Sequence, residues 1–130
     1  MSERNKILYE LQAEICYALS HPVRLEILDL LSQNERTSSE LLAILDIPKA
    51  NLSQHLAVLK DAGIIKTRKE GQFQFAFLAI PKIKEACSLV RGILAERIED
   101  DEKRMGELKK NLNQQVKSIN TKTTKKSSKR

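Results

Sequence analysis

The sequence predicts a mainly helical fold that carries one β-hairpin and ends in a long helix. Three observations predict it. Apolar residues recur at steps of three and four over most of the chain. The period shortens to two only between Ile64 and Leu78. From Ile83 to Ile119 one narrow apolar stripe runs without a proline.

The first helix is expected from about residue 4 to 19, where Ile7, Leu8, Leu11, Ile15, Ala18 and Leu19 share a face. Ser20 is placed to cap the second helix, about 21 to 32, and Pro22 is tolerated in its first turn. Its core side is Val23, Ile27, Leu28, Leu30 and Leu31. Thr37 and Glu40 have the spacing of a capping box, so a short third helix starts there with Leu41, Leu42 and Leu45 inward. Asp46-Ile47-Pro48 breaks it. A fourth helix follows from about Pro48 to Ala62, and Gly63 is placed to end it in a left-handed turn. Leu52, Leu56 and Leu59 form its inner side; Asn51, Ser53, Gln54 and His55 form a short, polar outer side.

Ile64 to Glu70 and Gln72 to Leu78 read as two strands around Gly71. Phe73, Phe75 and Phe77 alternate with Gln72, Gln74 and Ala76, giving one apolar face, and Arg68 and Lys69 sit near the hairpin tip. Pro81 opens the last helix. Its stripe is narrow enough to be a helix–helix seam rather than a globular face, with Asp101 interrupting it and Gly106 weakening the helix by about 1 kcal/mol relative to Ala. Beyond residue 120 no apolar side chain remains and disorder is expected. The chain thus divides into a domain at 1–98, a helical extension at 99–119 able to pair as a coiled coil, and a disordered basic tail at 120–130.

Charge sharpens this division. Of the 23 basic residues, six lie in residues 116–130, which hold no acid, and the remaining 17 are matched by 17 acidic residues over 1–115. The basic excess belongs to the tail, so nucleic-acid binding has to be argued from local patches. No apolar run reaches the roughly 18 residues of a membrane span, and Met1 to Gln12 has no hydrophobic signal core. Two cysteines make no disulfide framework and fit a reducing cytoplasm. Two His, two Cys and four Gly exclude a zinc ribbon and a Gly-rich phosphate loop. Nor does any nucleophile–base pair stand out, so an enzyme is not expected, and no cofactor or metal is implied.

A short helix, a tight break, a helix with a polar outer side and then a basic hairpin is the pattern of a helix-turn-helix followed by a wing. Short polar side chains on such a helix reach base edges and phosphates in the major groove, and the hairpin's cations reach the adjacent backbone. The alternative reading is a helical packing or protein-interaction module with a surface hairpin, or an architectural DNA-binding protein without an inducer.

ALSHPVRLEILDLL, followed by SSELLAILDIPKANLSQHLAVLKDAGIIKTRKEGQFQFAFL, resembles the ArsR/SmtB family of winged helix-turn-helix repressors over roughly residues 13 to 98. It also resembles a branch of that family often joined to a rhodanese-like domain, of which no part is seen here. The resemblance implies a homodimer on double-stranded operator DNA, released by a ligand or thiol signal. It implies a recognition helix at about Lys49 to Lys60, with Ser53, Gln54 and His55 at the groove, Lys49 and Asn51 at its edge, and Arg68 and Lys69 on the DNA from the wing. It places the dimer interface on the first and last helices, and on the last helix the candidates are Ile83, Cys87, Val90 and Leu94.

The metal sites of that family are not carried over. The third helix has Leu42 and Ile44 where thiolate sensors have Cys-x-Cys, and the last helix has no His. Cys16 and Cys87, on the two helices expected to dimerise, are candidate thiol sensors; the alternatives are that both are structural, or that they bind trivalent arsenic or another thiophilic ligand.

Overall fold

The computed structural model describes the backbone of residues 2–128 and the side chains of residues 5–118. The elements in order are α1 (Ser2–Ala18), α2 (Pro22–Gln33), β1 (Arg36–Thr37), α3 (Ser38–Leu45), α4 (Lys49–Asp61), β2 (Ile65–Glu70), β3 (Phe73–Leu78) and α5 (Ile83–Ser128). This is a winged helix-turn-helix with a long C-terminal helix. Two compact units are distinguished, Met1–Ser88 and Leu89–Arg130, so the division falls inside α5 and ten residues earlier than 98.

In the first unit, the inner faces of α2, α3 and α4 supply the core with Ile27, Leu28, Leu41, Leu52 and Leu59, and the base of the sheet adds Ile64, Ile65 and Ala76. Ile65 pairs with Leu78 and Thr67 with Ala76, while β1 adds to the free edge of β3 to give the antiparallel order β1-β3-β2. The third strand is absent from the sequence reading because two residues show no periodicity. It closes an otherwise open edge of β3.

The turns follow backbone chemistry. Thr37 Oγ1 accepts the Glu40 N–H at 3.1 Å, so the hydroxyl half of the expected capping box caps α3. Asp46 ends α3 at φ +51°, a left-handed conformation that aspartate tolerates, and Pro48 then starts α4. Gly63 (φ +75°) and Gly71 (φ +59°) turn the chain into and within the hairpin, where a Cβ is strained.

Several expectations are corrected. Ser20 does not cap α2: its hydroxyl donates to the Tyr17 carbonyl, and His21 is the cap, with Nδ1 accepting the Val23 N–H at 3.1 Å. The phenylalanine face of β3 turns away from the core. Ala76 is the buried residue of that strand and Phe73 is 59% exposed, because the small side chain is the one that fits against α2. Ile83 is 8% exposed within its own core, and Cys87 packs against that core. Of the four last-helix candidates, Val90 and Leu94 are exposed in the single chain. Finally, α5 continues to Ser128, past the point where composition predicts disorder. Extending an existing helix needs no new nucleus, and lysine is a good helix former. Residues 129 and 130, and the side chain of Ile119, lie outside the described residues.

Candidate nucleic-acid interface

The break at Asp46–Pro48 separates α3 from α4, and both line one groove with the hairpin. Between α3, α4 and the hairpin lies a groove of about 370 Å³. Lys49, Ser53 and Lys60 line it from α4, Ser38 and Ser39 from the start of α3, and Gln72 and Gln74 from the wing. No carboxylate is among its lining residues. The first-turn N–H groups of a helix have no acceptor within the helix; at α3 that of Glu40 is taken by Thr37 Oγ1, and those before it add to the two ammonium groups. The arrangement suits a phosphate backbone.

The predicted site residues separate into three groups. Lys49 and Ser53 face this groove. Asn51 and Gln54 are exposed on the outer side of α4. His55 is half-buried and points back toward the first two helices. Lys60, Ser38, Ser39, Gln72 and Gln74 join the site although the sequence reading does not single them out; their common signal is a short polar or cationic side chain on elements flanking the break.

His55 belongs to a buried polar cluster centred on Arg24, another residue that the sequence reading passes over. Arg24 is 5% exposed. Its Nε donates to the Ala18 carbonyl at 2.8 Å and its Nη2 to the Tyr17 carbonyl at 3.0 Å, satisfying acceptors at the end of α1. Its Nη1 donates to His55 Nδ1 at 3.2 Å, and the guanidinium lies 5.3 Å from the Tyr17 ring centre. One arginine on α2 therefore ties the end of α1 to the inner flank of the proposed recognition helix. The rings of His21 and His55 lie 4.4 Å apart, centre to centre.

His55 uses Nδ1 as an acceptor for Arg24, which requires that nitrogen to be unprotonated. Burial, then the neighbouring His21 and Arg24, hold the His55 pKa below its ordinary 6.5. The unfolded chain thus takes up this proton more readily than the folded one. Stability is complete above about pH 6.5 and declines as pH falls below it. Thermal melts between pH 8 and 5 should show this decline, and His55→Gln should flatten it. An equal slope in the variant would assign it elsewhere.

Arg68, expected on the DNA from the wing, makes several contacts within the protein. Its guanidinium makes a bidentate ion pair with Glu35, a second bond to Glu70 at 2.9 Å, and stacks 4.8 Å from the centre of the Phe75 ring. The carboxyl of Glu35 is held below the usual carboxylate range by the Arg68 hydrogen bond. Arg68 thereby fastens the wing to the segment before β1 and lies over Phe75 and Phe77 of the outward face. Lys69 and Lys66 on the same strand are exposed.

Cys16 is exposed and Cys87 half-buried, with no disulfide between them. Among the described residues, no group of three His, Cys, Asp or Glu side chains is placed to hold a metal ion. Nor is any helix there long and apolar enough to cross a membrane.

The fold, with a cationic groove beside α4, is that of the winged helix-turn-helix class, and similar proteins give the family. A helix-turn-helix domain family matches residues 19–68. An HTH-type transcriptional regulator of Mycobacterium tuberculosis, Rv0081, is 38% identical over 94 residues, spanning 72% of this chain and 82% of its own. Its crystal structure superposes with a TM-score of 0.66 over 72% of this chain and 94% of that one. The regulator MJ1325 of Methanocaldococcus jannaschii is 41% identical over 83 residues, 63% of this chain and 93% of its own. The homodimeric winged helix-turn-helix DNA-binding domain of Mb0332 from Mycobacterium bovis, described as a possible ArsR-family regulator, is 30% identical. It has a TM-score of 0.68 over 76% of this chain and 92% of that one. The chain belongs to the ArsR family of winged helix-turn-helix transcriptional regulators.

Proposed function

We propose that this chain is a homodimeric, sequence-specific repressor working in the cytoplasm, which places α4 of each copy in successive major grooves of an operator. The observation that carries the reading is the groove beside α4, which gathers Lys49, Lys60, Ser53 and the start of α3 without a carboxylate. Lys49 and Ser53 hold phosphate, while Asn51 and Gln54, exposed on the outer side of α4, read base edges. His55 acts from behind by seating the helix. Two half-sites about 34 Å apart are expected, one DNA turn.

Pairing uses the apolar side chains that a single copy leaves in water. On α1 these are Ile7, Leu8, Leu11 and Ile15, and on α5 they include Val90 and Leu94. The homodimeric state of the Mb0332 domain supports this reading.

On the wing, Lys69 contacts the DNA backbone and Arg68 holds the strand in position. In titrations against salt, Lys69→Ala should lower the slope of log affinity against log salt by about one, the value for one phosphate. Arg68→Ala should weaken binding with little change in slope. A loss of slope in Arg68→Ala equal to that in Lys69→Ala would put both on phosphate.

Release by a thiol signal is assigned to Cys16 and Cys87. Oxidation of the wild type with diamide should weaken operator binding while Cys16→Ser or Cys87→Ser abolishes the response. Equal affinity of reduced and oxidised wild type would make both cysteines structural. Competition by unrelated DNA at moderate salt tests the function itself, since a repressor keeps its operator under those conditions and a purely architectural protein does not.

A further inference from the structure

Charge is distributed unevenly along α5. From Ile83 to Glu107 the helix carries seven acidic and five basic residues. Ion pairs one turn apart tie some of them together, Arg97 with Asp101 at 3.9 Å and Glu99 with Lys103 at 3.7 Å. Residues 108–130 hold eight basic residues and no acidic one, so no such pair can form among their own side chains. Lys109 and Lys110 at its start are exposed. We propose that residues 108–130 are a second DNA-binding element, which lies along the phosphate backbone of the duplex flanking the operator and does not read sequence. The proposal goes beyond the operator reading of α4 and holds whether or not that helix discriminates bases.

The residue types suit phosphate. Seven of the eight cations are lysine, a point charge without the planar fork of arginine. Apart from four apolar residues, the rest of the segment is Asn, Gln, Ser and Thr, side chains that donate to phosphate oxygens. No aromatic ring is present to stack on a base. Length agrees as well. The helical backbone continues to Ser128 and carries six of the eight cations. From Leu108 to Ser128 it spans about 30 Å at 1.5 Å per residue, the distance covered by roughly nine phosphates of one strand.

An anionic membrane surface is the other polyanion of matching charge, and the sequence disfavours it. A helix lying in a bilayer surface needs an apolar face opposite its cations. Here the apolar residues end at Ile119, and Lys122, Lys125, Lys126, Lys129 and Arg130 all follow it. Duplex DNA needs only charge and reach. The unbroken helix α5 tethers the segment to the first unit, so a duplex held by one is presented to the other at a high effective concentration. Such binding gains its free energy from released counterions and fades as salt rises.

The test uses the full chain carrying Lys122→Gln, Lys125→Gln, Lys126→Gln, Lys129→Gln and Arg130→Gln together, which removes five charges and touches no apolar residue. Binding to a random-sequence duplex of about 60 base pairs is titrated from roughly 50 to 200 mM salt, a range over which phosphate contacts weaken steeply. The slope of log affinity against log salt should fall by about 4 per bound chain, with a loss of about 100-fold or more in affinity at the low-salt end. A second variant with the four lysines changed to arginine should keep the wild-type slope. An unchanged slope in the Gln variant overturns the proposal, as does a lost slope in the arginine variant or a wild type that does not bind random duplex at low salt. Co-sedimentation with phosphatidylglycerol vesicles that the Gln variant loses, at an unchanged DNA slope, would give the segment to a membrane surface. Weaker self-association at an unchanged slope would give it to a second copy. An enriched operator motif with an unchanged slope defeats the second element alone, and a reduced slope without any motif defeats the repressor reading alone.

Discussion

Arg24→Ala is expected to destabilise the protein by about 3 kcal/mol and to abolish operator binding under conditions where the wild type is saturated. Two of its hydrogen bonds end on the Ala18 and Tyr17 carbonyls and a third on His55. A hydrogen bond from a charged group contributes roughly 1.5–3 kcal/mol, and the truncation takes from the buried Ala18 carbonyl its side-chain donor, while the Tyr17 carbonyl keeps Ser20. Part of that loss is offset because a buried charge no longer has to be desolvated. The functional effect comes on top, since His55 loses the contact that seats α4 against α2. Arg24→Lys should fall between the two, because an ammonium reaches one acceptor but lacks the planar fork. Chemical denaturation of both variants gives the stability. A loss below about 1 kcal/mol for Arg24→Ala would show that solvent or neighbouring side chains replace its bonds.

Leu94→Asp is expected to produce monomers that keep the fold of the first unit and bind operator DNA at least about 100-fold more weakly. Leu94 is 46% exposed in the single chain, so a carboxylate there costs the monomer little. In the paired seam the same carboxylate is desolvated against an apolar side chain, which disfavours association strongly. A single half-site then binds without the effective concentration that the linked second half-site supplies, a factor of roughly 10²–10⁴. Sedimentation reports the mass and circular dichroism the helix content. A dimeric Leu94→Asp would move the interface off this face of α5.

The two variants probe parts of the molecule that differ in how far the sequence exposes them. Helices α2 to α4 were legible because Ile27, Leu52 and Leu59 keep helical spacing and Thr37, Gly63 and Gly71 mark the turns. Arg24 was not, because a charged residue is read as solvated. Yet it stands in phase with Ile27, Leu28 and Leu31, at the steps of three, four and seven that mark the inner face. His55 carries the same signal, three residues after Leu52 and four before Leu59, on the flank of the inner side. The outward phenylalanines of β3 could not be oriented from alternation alone, since a period of two defines two faces without saying which is buried. The groove is the least legible part, because its residues come from α3, α4 and the wing and share no local pattern.

The outer side of α4 is expected to read sequence. The most direct measurement is selection of bound fragments from random double-stranded DNA by the wild type and by Gln54→Ala at matched salt. The wild type should enrich a two-fold symmetric motif, with half-sites about one DNA turn apart. Gln54→Ala should keep the symmetry but lose preference at one position in each half-site, a discrimination of roughly 1–3 kcal/mol. Failure of the wild type to enrich any motif, or an identical motif from Gln54→Ala, would contradict the claim.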